Sequence, residues 1–394
     1  MQNYDVIVVG GGMVGAATAV GLAQQGASVA VVEQHQPQAF DAVQPPDLRV
    51  SAINIESQQL LESLGAWSSI QSMRSCVYRR LSVWEGLGRT DFNSADIKAS
   101  HLGHIIENRI IQLALHQRLA ELDNVDVLYG KIQSMSLNDL PKVTMQTTSE
   151  TEVMLQGQCL IAADGANSKT RQQLNIACDG WQYAQQVLAV NVKTSMPQQD
   201  ITWQQFSATG PMAFLPLYDG YASLVWYHQA QDVQRLKSLP HSTLKQQIQQ
   251  HFPDELVDFD ILQVASFPLT RLHAKHYFSG RSVLIGDAAH SINPLAGQGV
   301  NLGFSDVKCL LSLTEGQVDY QQLSTLQQSF AQYEKQRKAD NLRMMVAMDA
   351  LYTGFSNTNP ILKLARNAAL QLCDKSPWLK QNIMRYAIGE SFGL

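Results

Sequence analysis

The sequence predicts a two-lobed α/β protein with a helical carboxy-terminal tail, and three patterns support that fold class. Within residues 4–33 a β-branched run, a glycine-rich turn, a helical stretch and a second β-branched run follow one another, as in a βαβ unit. Residues 181–265 alternate apolar and polar side chains in short runs between Pro and Gly, which is typical of an antiparallel sheet. From residue 319 onward apolar residues recur at helical spacing, so we expect helices there.

Length and composition indicate a globular chain of more than one structural unit. At roughly 150 residues per domain, the 394 residues predict two to three units. Apolar residues make up 45% and charged residues 16%, and 29 basic against 34 acidic side chains give a net charge of −5. This balance favours neither disorder nor binding to nucleic acid.

The cysteine and histidine patterns argue against several kinds of site. The five cysteines are odd in number and none lies in a CxxC pair, so a disulfide scaffold, a zinc ribbon and a dithiol reductase are disfavoured. Free thiols favour a reducing cytoplasm. The ten histidines form no liganding cluster, and we predict no metal site. The apolar run 6–23 contains five glycines and no preceding Lys or Arg, which disfavours a membrane span.

The first motif places Gly10, Gly12 and Gly15 between a predicted strand and a predicted helix. Glycine lets the backbone turn tightly and approach a pyrophosphate, and the amino terminus of the helix supplies N–H donors. Glu33 ends the second strand of the unit, where an acidic residue can bond ribose hydroxyls and disfavours a 2′-phosphate. The motif therefore predicts FAD or NAD, rather than NADP, as the bound dinucleotide.

Two later motifs follow predicted strands. Asp164 and Gly165 form a turn after an apolar strand, and Asp287 follows a strand that ends at Gly286. An acid at that strand end can bond a polyol or ribityl chain. A glycine-rich turn then opens a helix whose N–H groups can meet an anionic flavin edge. The residues of this turn and the following helix start are Gly297, Gln298, Gly299 and Asn301.

In this order and spacing, the three motifs resemble those of the single-component FAD-dependent aromatic hydroxylases, over most of the chain. The resemblance implies a para-hydroxybenzoate hydroxylase-like fold, with an FAD-binding domain of Rossmann type, an antiparallel-sheet substrate domain and the helical tail. It implies FAD as the cofactor and NAD(P)H as a transient reductant. By resemblance, the first motif with Glu33 binds the ADP half of FAD, and the Asp164–Gly165 segment serves FAD and NAD(P)H. Asp287 then holds the ribityl chain, and the loop 297–301 faces the flavin ring.

Two arginines lie in segments that resemble flavin-contacting parts of the same family. Arg49 lies in the segment 47–53, and Arg109 begins a predicted helix in the segment 108–113. The resemblance implies that both arginines contact the cofactor. The alternative for each is a surface or interdomain salt bridge.

Further segments are similar to the ubiquinone-biosynthesis hydroxylases, and within that group to the hydroxylases of demethoxyubiquinol. These segments are 76–85, 181–185, 203–206, 210–211, 214–217, 223–227 and 355–357. The resemblance implies a polyprenylated benzoquinol and dioxygen as substrates, with oxygen transferred from a C4a-hydroperoxide of the reduced flavin. Three alternatives stay open: a sister hydroxylase acting at another ring carbon, a flavin-dependent dehydrogenase or prenyl reductase without oxygen insertion, and a non-catalytic flavin-binding subunit of a biosynthetic complex.

Apolar residues of the predicted antiparallel sheet are expected to line a pocket for the prenylated ring, although the same residues could be plain core. They are Trp203, Phe206, Phe214, Pro216, Leu217 and Trp226. The sequence selects no catalytic base. His290, close to Asp287, is expected to bond the backbone rather than to act in catalysis.

The tail differs in charge from the rest of the chain. Residues 361–389 carry five basic side chains, Lys363, Arg366, Lys375, Lys380 and Arg385, against Asp374 alone. Basic amphipathic helices suit an anionic bilayer surface or an acidic partner, such as a ubiquinone-biosynthesis protein complex. We therefore expect a cytoplasmic protein that lies at the inner membrane surface. The alternative is a helix pair packed on the flavin domain with a solvated basic face.

The predicted division of the chain has three parts. Residues 1–75, 101–180 and 266–318 form the FAD-binding domain, residues 76–100 and 181–265 form the substrate domain, and residues 319–394 form the helical tail.

Overall fold

A computed structural model describes residues 1–207, 209–293, 297–316, 318–357 and 359–389. It confirms the α/β class with two large sheets and a helical carboxy-terminal region. The seven strands of the first sheet are β1 (Gln2–Val9), β2 (Val29–Glu33), β8 (Val125–Ser136), β9 (Lys142–Thr147), β10 (Glu152–Ala162), β16 (Phe278–Ser279) and β17 (Ser282–Leu284).

The centre of the first sheet is parallel. Strands β8, β2, β1, β10 and β17 lie side by side in that order, and β9 pairs antiparallel with both β8 and β10 beyond their parallel halves. The β-branched runs 6–9 of β1 and 29–32 of β2 are buried, as expected for parallel strands that are covered on both faces. The predicted βαβ unit is confirmed, with helix α1 (Met13–Gln24) between β1 and β2.

The second sheet has the order β18-β15-β11-β14-β13-β12-β5-β6, and every pair is antiparallel except β12 with β5. Its strands are β5 (Arg80–Glu85), β6 (Gly88–Asn93), β11 (Cys178–Thr194), β12 (Ile201–Gln205), β13 (Met212–Pro216), β14 (Tyr221–Gln229), β15 (Phe259–Ala274) and β18 (His290–Ser291). The predicted boundaries near residues 181 and 266 fall inside β11 and β15, because these two long strands run on toward the first sheet.

A small third sheet, β3-β7-β4, joins the two large ones. Its strands are β3 (Val50–Asn54), β4 (Cys76–Tyr78) and β7 (Gly103–Glu107). The helices before the tail are α2 (Ile55–Ser63), α3 (Trp67–Met73), α4 (Asn108–Ala120), α5 (Lys169–Gln173), α6 (Ala230–Lys237), α7 (His241–His251) and α8 (Gly299–Thr314).

Helices α6 and α7 lie inside residues 181–265, for which the sequence pattern predicts an antiparallel sheet. Their buried residues are Val233 and Leu236 in one helix and Leu244 and Ile248 in the other, which is helical spacing. These residues pack on one face of the second sheet. That face is therefore covered by helices, and only the opposite face is available to border a site.

The tail forms α9 (Leu323–Phe355), α10 (Pro360–Lys375) and α11 (Pro377–Ala387), which confirms its helical character. Helix α9 buries Phe330 and Tyr333 in the core of the first sheet and its methionines in the cluster beside the second sheet. Helices α10 and α11 pack against the small cluster around Phe92 and Leu102. The tail thus contacts both lobes. Among the described residues no helix combines the length and apolar character that crossing a bilayer requires.

Strand β7 carries a histidine whose charge affects folding. His104 is buried, and its ring lies edge-on to Trp67 with 5.0 Å between the ring centres. Burial, together with the nearby His101 and Arg79, lowers the pKa of His104 to about 4. Between about pH 6.5 and pH 4 the unfolded chain binds a proton at this position that the folded chain does not, so stability falls as the pH falls through this window.

We expect His104→Phe, which keeps an aromatic ring beside Trp67, to reduce this sensitivity to acid. The loss of unfolding free energy between pH 7 and pH 5 should be smaller than in the wild type by about 1–2 kcal/mol. Urea unfolding at both pH values measures it, with the exposed His241→Phe as the control that keeps the wild-type pH dependence. Equal losses in His104→Phe and wild type would contradict the assignment.

Candidate flavin and substrate site

One large cavity, of about 1550 Å³, runs between the two lobes. We call it the central cavity. It starts at the amino termini of α1 and α8, passes along the second sheet and ends beneath α10 and α11. Each of the three sequence motifs contributes residues to its first part: Gly12, Asp164, Gly165, Asp287, Gly297, Gln298 and Gly299.

The glycines of the first motif have different structural roles. Gly10 has φ +103°, and a side chain there would place Cβ 2.4 Å from the carbonyl oxygen of Ala163. A Cβ on Gly15 would lie 1.9 Å from the carbonyl oxygen of Gly10. At Gly12, by contrast, no atom lies within 4 Å of the Cβ position. Gly10 and Gly15 therefore serve the turn itself, whereas Gly12 leaves space on the cavity side.

Helix α1 begins at this space without a side-chain cap and without an acidic residue in its first turn. Its first N–H groups are consequently open toward the cavity, and the positive end of the helix dipole lies there. Glu33 lies at the end of β2, where Oε2 accepts the N–H of Gly11 at 2.6 Å and Oε1 accepts the N–H of His35 at 3.1 Å. Glu33 thus braces the turn, and its contact with a ribose stays a prediction.

The second motif is held by hydrogen bonds within its own turn. The Asp164 carboxylate accepts the Ser168 hydroxyl and the N–H and hydroxyl of Thr170, at the start of α5. Arg171, which is buried, donates to the carbonyl oxygen of Ala166 at 2.9 Å and to that of Ala288 at 2.8 Å. It thereby joins the second motif to the third, a role that the sequence pattern did not reveal.

The third motif presents Asp287 to the cavity from a single turn of 3₁₀ helix, Gly286–Ala288. Asp287 is exposed toward the cavity, and desolvation by the protein around it raises the pKa of this carboxyl against the opposing effect of His290 and Arg49. Arg49 also lines the cavity, with its guanidinium 5.1 Å from the centre of the Phe267 ring. Asp287 and Arg49 therefore both line the part of the cavity that the three motifs border.

His290 does not face the cavity. It is buried, and its Nε2 lies 2.5 Å from Oδ2 of Asp306, which also accepts the Gly286 N–H at 3.0 Å. Oδ1 of Asp306 accepts Nε of Arg337 at 2.8 Å. Burial alone would raise the pKa of Asp306, but His290 and Arg337 hold it well below its ordinary value. The partner that the structure describes for His290 is therefore a carboxylate, in addition to or in place of the expected backbone group.

Five predicted cofactor residues do not line the central cavity: Gly10, Gly15, Glu33, Asn301 and Arg109. The first three belong to the turn of the first motif or brace it, as described above. Asn301 is buried in α8, where its amide donates to the carbonyl oxygen of Ala52 at 2.8 Å and accepts the Ser57 hydroxyl at 2.8 Å. Arg109 pairs with Asp47 through two nitrogens, at 2.7 and 3.1 Å. The salt-bridge alternative therefore describes the contacts of Arg109, and Asn301 positions α8 against β3 and α2.

The prediction of substrate-pocket residues requires a correction. Phe214, Pro216, Leu217 and Trp226 do not line the central cavity, and Phe214 and Trp226 pack in the cluster beneath α6 and α7. Side chains alternate between the faces of a strand, so Phe214, Pro216 and Trp226 point away from the face that their immediate neighbours present to the cavity. Leu217 lies just beyond the end of β13. The residues of these strands that do line the cavity are Ala213, Leu215, Ser223, Val225 and Tyr227, joined by Trp203 and Phe206.

Part of the cavity wall comes from the tail, which the sequence did not connect with the site. Residues of α10 and α11 line its far end, and Phe355 at the end of α9 stacks on Phe206 with 4.0 Å between ring centres. Periodicity identifies these helices, but no local signal shows which surface they cover. Among the described residues no group of three or more His, Cys, Asp and Glu side chains could hold a metal ion.

The residues at the start of the cavity fit FAD. Gly12 leaves space at the uncapped terminus of α1, and α8 likewise begins at Gly299 without a side-chain cap, at a position where a Cβ would meet no atom within 4 Å. Two helix amino termini thus face one cavity, which suits a cofactor with a pyrophosphate and an anionic ring edge.

Comparisons with known proteins agree with this geometry. A family described as "FAD binding domain" matches residues 3–329. The chain is 39% identical to 3-demethoxyubiquinol 3-hydroxylase of Escherichia coli K12, covering 98% of this chain and 99% of the relative. It is 32% identical to the mitochondrial ubiquinone biosynthesis monooxygenase COQ6 of Drosophila melanogaster, over 99% of this chain and 90% of the relative.

Among solved structures, the fold is similar to that of p-nitrophenol 4-monooxygenase PnpA from Pseudomonas putida DLL-E4. The TM-score is 0.82 at 18% identity, and 99% of each chain is covered. The family match and the two relatives confirm the resemblance inferred from the motifs. The chain therefore belongs to the FAD binding domain family and, within it, to the ubiquinone-biosynthesis hydroxylases.

Proposed function

We propose that this protein is an FAD-dependent monooxygenase that hydroxylates the ring of demethoxyubiquinol, a polyprenylated benzoquinol, in ubiquinone biosynthesis. One observation carries the proposal: a single cavity joins the flavin-type motifs to an apolar sheet face. The 39% identity to the E. coli demethoxyubiquinol hydroxylase supports the choice of ring position. COQ6-type relatives near 30% identity make a sister hydroxylase the second candidate.

FAD supplies the chemistry, because reduced flavin activates dioxygen for transfer of one oxygen atom to an electron-rich ring. The chain's own task is to bind the cofactor, orient the quinol and exclude water. We assign the pyrophosphate to the amino terminus of α1 beside Gly12, and the ribityl chain to Asp287. The flavin ring is assigned to the start of α8 at Gly297, Gln298 and Gly299. In this assignment Gly10 and Gly15 shape the turn before α1, and Asn301 holds α8 in place, without touching the cofactor.

The sheet wall suits an apolar aromatic substrate. Ala189, Val225 and Ala213 lie side by side on β11, β14 and β13, and all three face the cavity. Small side chains leave room for a ring, and the apolar surface around them disfavours water beside the reacting carbon. Phe206 and Tyr227 border the same space. We infer that these five residues contact the quinol ring.

The sheet part of the cavity offers no strong base. Its described lining contains neither a carboxylate nor a histidine, and burial raises the pKa of Tyr227 above its ordinary value. A benzoquinol already carries two hydroxyl groups that enrich its ring in electrons. We therefore assign no catalytic base, and we propose positioning and water exclusion as the contribution of the protein. NAD(P)H is the reductant that we propose, acting transiently.

We also propose that the tail places the protein on an anionic membrane surface. Helix α10 exposes an apolar stripe, which we call the tail stripe: Ile361, Leu364, Ala365, Ala368 and Leu372. Trp378 at the start of α11 is 73% exposed. Exposed apolar residues at helical spacing, with Lys363 and Lys375 exposed on the same helix, suit the interface of an anionic bilayer.

Two of the basic side chains of the tail form salt bridges within the protein, which reduces the positive charge available to a membrane. Arg366 pairs with Glu85 at 2.7 Å, and Lys380 pairs with Asp374 at 3.0 Å. Apolar insertion of the tail stripe therefore provides more of the proposed attraction than charge alone. An acidic protein partner of a biosynthetic complex is the other occupant, and vesicle binding distinguishes the two.

We expect Gly12→Ala to fold normally but to bind FAD about tenfold more weakly or worse. Gly12 has φ −69° and ψ −178°, which alanine adopts readily, and its Cβ would occupy cavity space rather than touch protein. Melting of the apoprotein and titration with FAD measure the two effects. Gly354→Ala, also without neighbours at its Cβ, is the control. Undiminished FAD affinity of Gly12→Ala would remove the pyrophosphate assignment.

The central test uses purified protein with FAD, NAD(P)H and a demethoxyubiquinol analogue under ¹⁸O₂. We expect a hydroxylated product heavier by one ¹⁸O atom, with no label taken from H₂¹⁸O. A labelled hydroxyl at a different ring carbon would move the assignment to a sister hydroxylase. An oxidised product without label would indicate a dehydrogenase or reductase instead.

For the tail, we expect the double variant Leu364→Glu/Leu372→Glu to lose most of its binding to anionic phosphatidylglycerol vesicles. Both leucines are exposed, by 73% and 66%, so the fold should tolerate the change. The control Met154→Glu/Val257→Glu alters exposed apolar residues away from the tail and should bind like wild type. Co-sedimentation measures binding, and equal binding by both double variants would exclude the tail stripe as the membrane contact.

A further inference from the structure

The central cavity continues beyond the ring site into an apolar limb under the tail. We call this limb the prenyl arm and define it by Leu81, Phe92 and Leu102 on the sheet side and Leu370, Leu379 and Met384 on the tail side. Several of these residues pack together in one hydrophobic cluster of β6, α10 and α11. The arm is thus a built part of the fold rather than a gap at a loose end.

Polar groups along the arm are already satisfied or neutral. Arg366 is the one charged residue in its described lining, and its Nε and Nη2 donate to the Glu85 carboxylate at 2.9 and 2.7 Å. The hydroxyl of Thr90 donates to the carbonyl oxygen of Leu370 at 2.7 Å. Burial raises the pKa of the Cys373 thiol, which keeps it neutral. Among the described residues, therefore, none at this end is arranged to bind a charged or strongly polar group.

The arm is also open along the seam between the last two helices. Ala369 of α10 and Ile383 and Ala387 of α11 line it and are exposed as well. The exposed residues of the tail stripe lie on the other side of the same helix α10. A long apolar chain could therefore pass from a bilayer surface, between α10 and α11, into the cavity that holds the ring.

We infer that the prenyl arm binds the isoprenoid chain of the substrate, so that α10 and α11 select substrates by the length of that chain. The inference rests on the proposed function for the identity of the ring, but the arm's affinity for an isoprenoid chain does not require ring chemistry. Burial of apolar chain surface against these side chains drives the binding. The second sheet then binds the ring of the substrate, and the carboxy-terminal helices bind its isoprenoid chain, within one cavity.

Ala369→Phe tests the arm, because a ring at this cavity-lining position fills it while the rest of the site is untouched. Ala368→Phe is the matched control, since residue 368 neighbours it on the same helix but belongs to the tail stripe. Both variants are compared with wild type as FAD-loaded full-length protein without membranes. The substrates are demethoxyubiquinol analogues that carry either one isoprene unit or a long isoprenoid chain.

We expect the kcat/KM for the long-chain substrate, relative to the short-chain one, to fall about tenfold or more in Ala369→Phe, mainly through KM. Ala368→Phe should keep the wild-type ratio. If Ala369→Phe lost equal kcat/KM on both substrates, or kept the wild-type ratio, the proposal that the prenyl arm binds the isoprenoid chain would be wrong. Thermal melting confirms that both variants are folded.

Binding of geranylgeraniol, an isoprenoid alcohol without a quinol ring, separates the two proposals. Its displacement of a fluorescent isoprenoid probe should weaken about tenfold in Ala369→Phe and stay unchanged in Ala368→Phe. If wild type hydroxylated neither substrate, the proposed function would fail, and this binding alone would decide the arm. Absence of geranylgeraniol binding to wild type would overturn the arm even if hydroxylation were observed.

Discussion

A single buried carboxylate holds the site together. Asp306 is fully buried, and it is stable as an anion only because Arg337, His290 and the N–H of Gly286 surround it. These partners come from the tail, the third motif and the strand end before Asp287. Loss of one partner of a buried ion pair typically costs about 3–5 kcal/mol, against about 0–1 kcal/mol for an exposed pair such as Arg343 with Asp340. The orientation of the flavin end of the cavity therefore depends on this residue more than on any surface charge.

The two faces of the second sheet have different surroundings: one packs against helices and the other borders the cavity. Leu188, Trp226 and Met212 lie side by side on one face and pack with α6 and α7, whereas their immediate neighbours face the cavity. Phe214 and Trp226 therefore stabilise the sheet on the face that the helices cover, whereas Phe206 and Tyr227 border the cavity. Aromatic size alone does not distinguish the two faces. In the proposed function, the small side chains of Ala189 and Ala213 leave the space for the ring.

The tail is a wall of the cavity and at the same time part of the surface. Arg366 joins α10 to Glu85 of β5, and its guanidinium lies 5.6 Å from the ring centre of Phe355, which stacks on Phe206. This chain of contacts runs from the outer helix to the sheet beside the proposed ring site. In the proposed function a quinol that resides in a bilayer must reach a flavin in water. Helix α10 meets this need, because its outer side carries the apolar tail stripe and its inner side lines the cavity.

The sequence by itself determined the βαβ unit, the three motifs, the family and the helical nature of the tail. These features are local: glycines at a turn, an acid at a strand end and apolar spacing along one helix are visible in consecutive residues. The sequence did not separate the two faces of the strands, because Phe214, Pro216 and Leu217 were all expected in one pocket, and which face borders a cavity depends on what covers the sheet. Only the tertiary structure placed α6 and α7 on one face and left the other open. Likewise Asp306 with Arg337, and Arg366 with Glu85, join residues far apart in the chain. No local pattern records such pairs, because burial creates the need for a partner and the fold alone decides which partner is near.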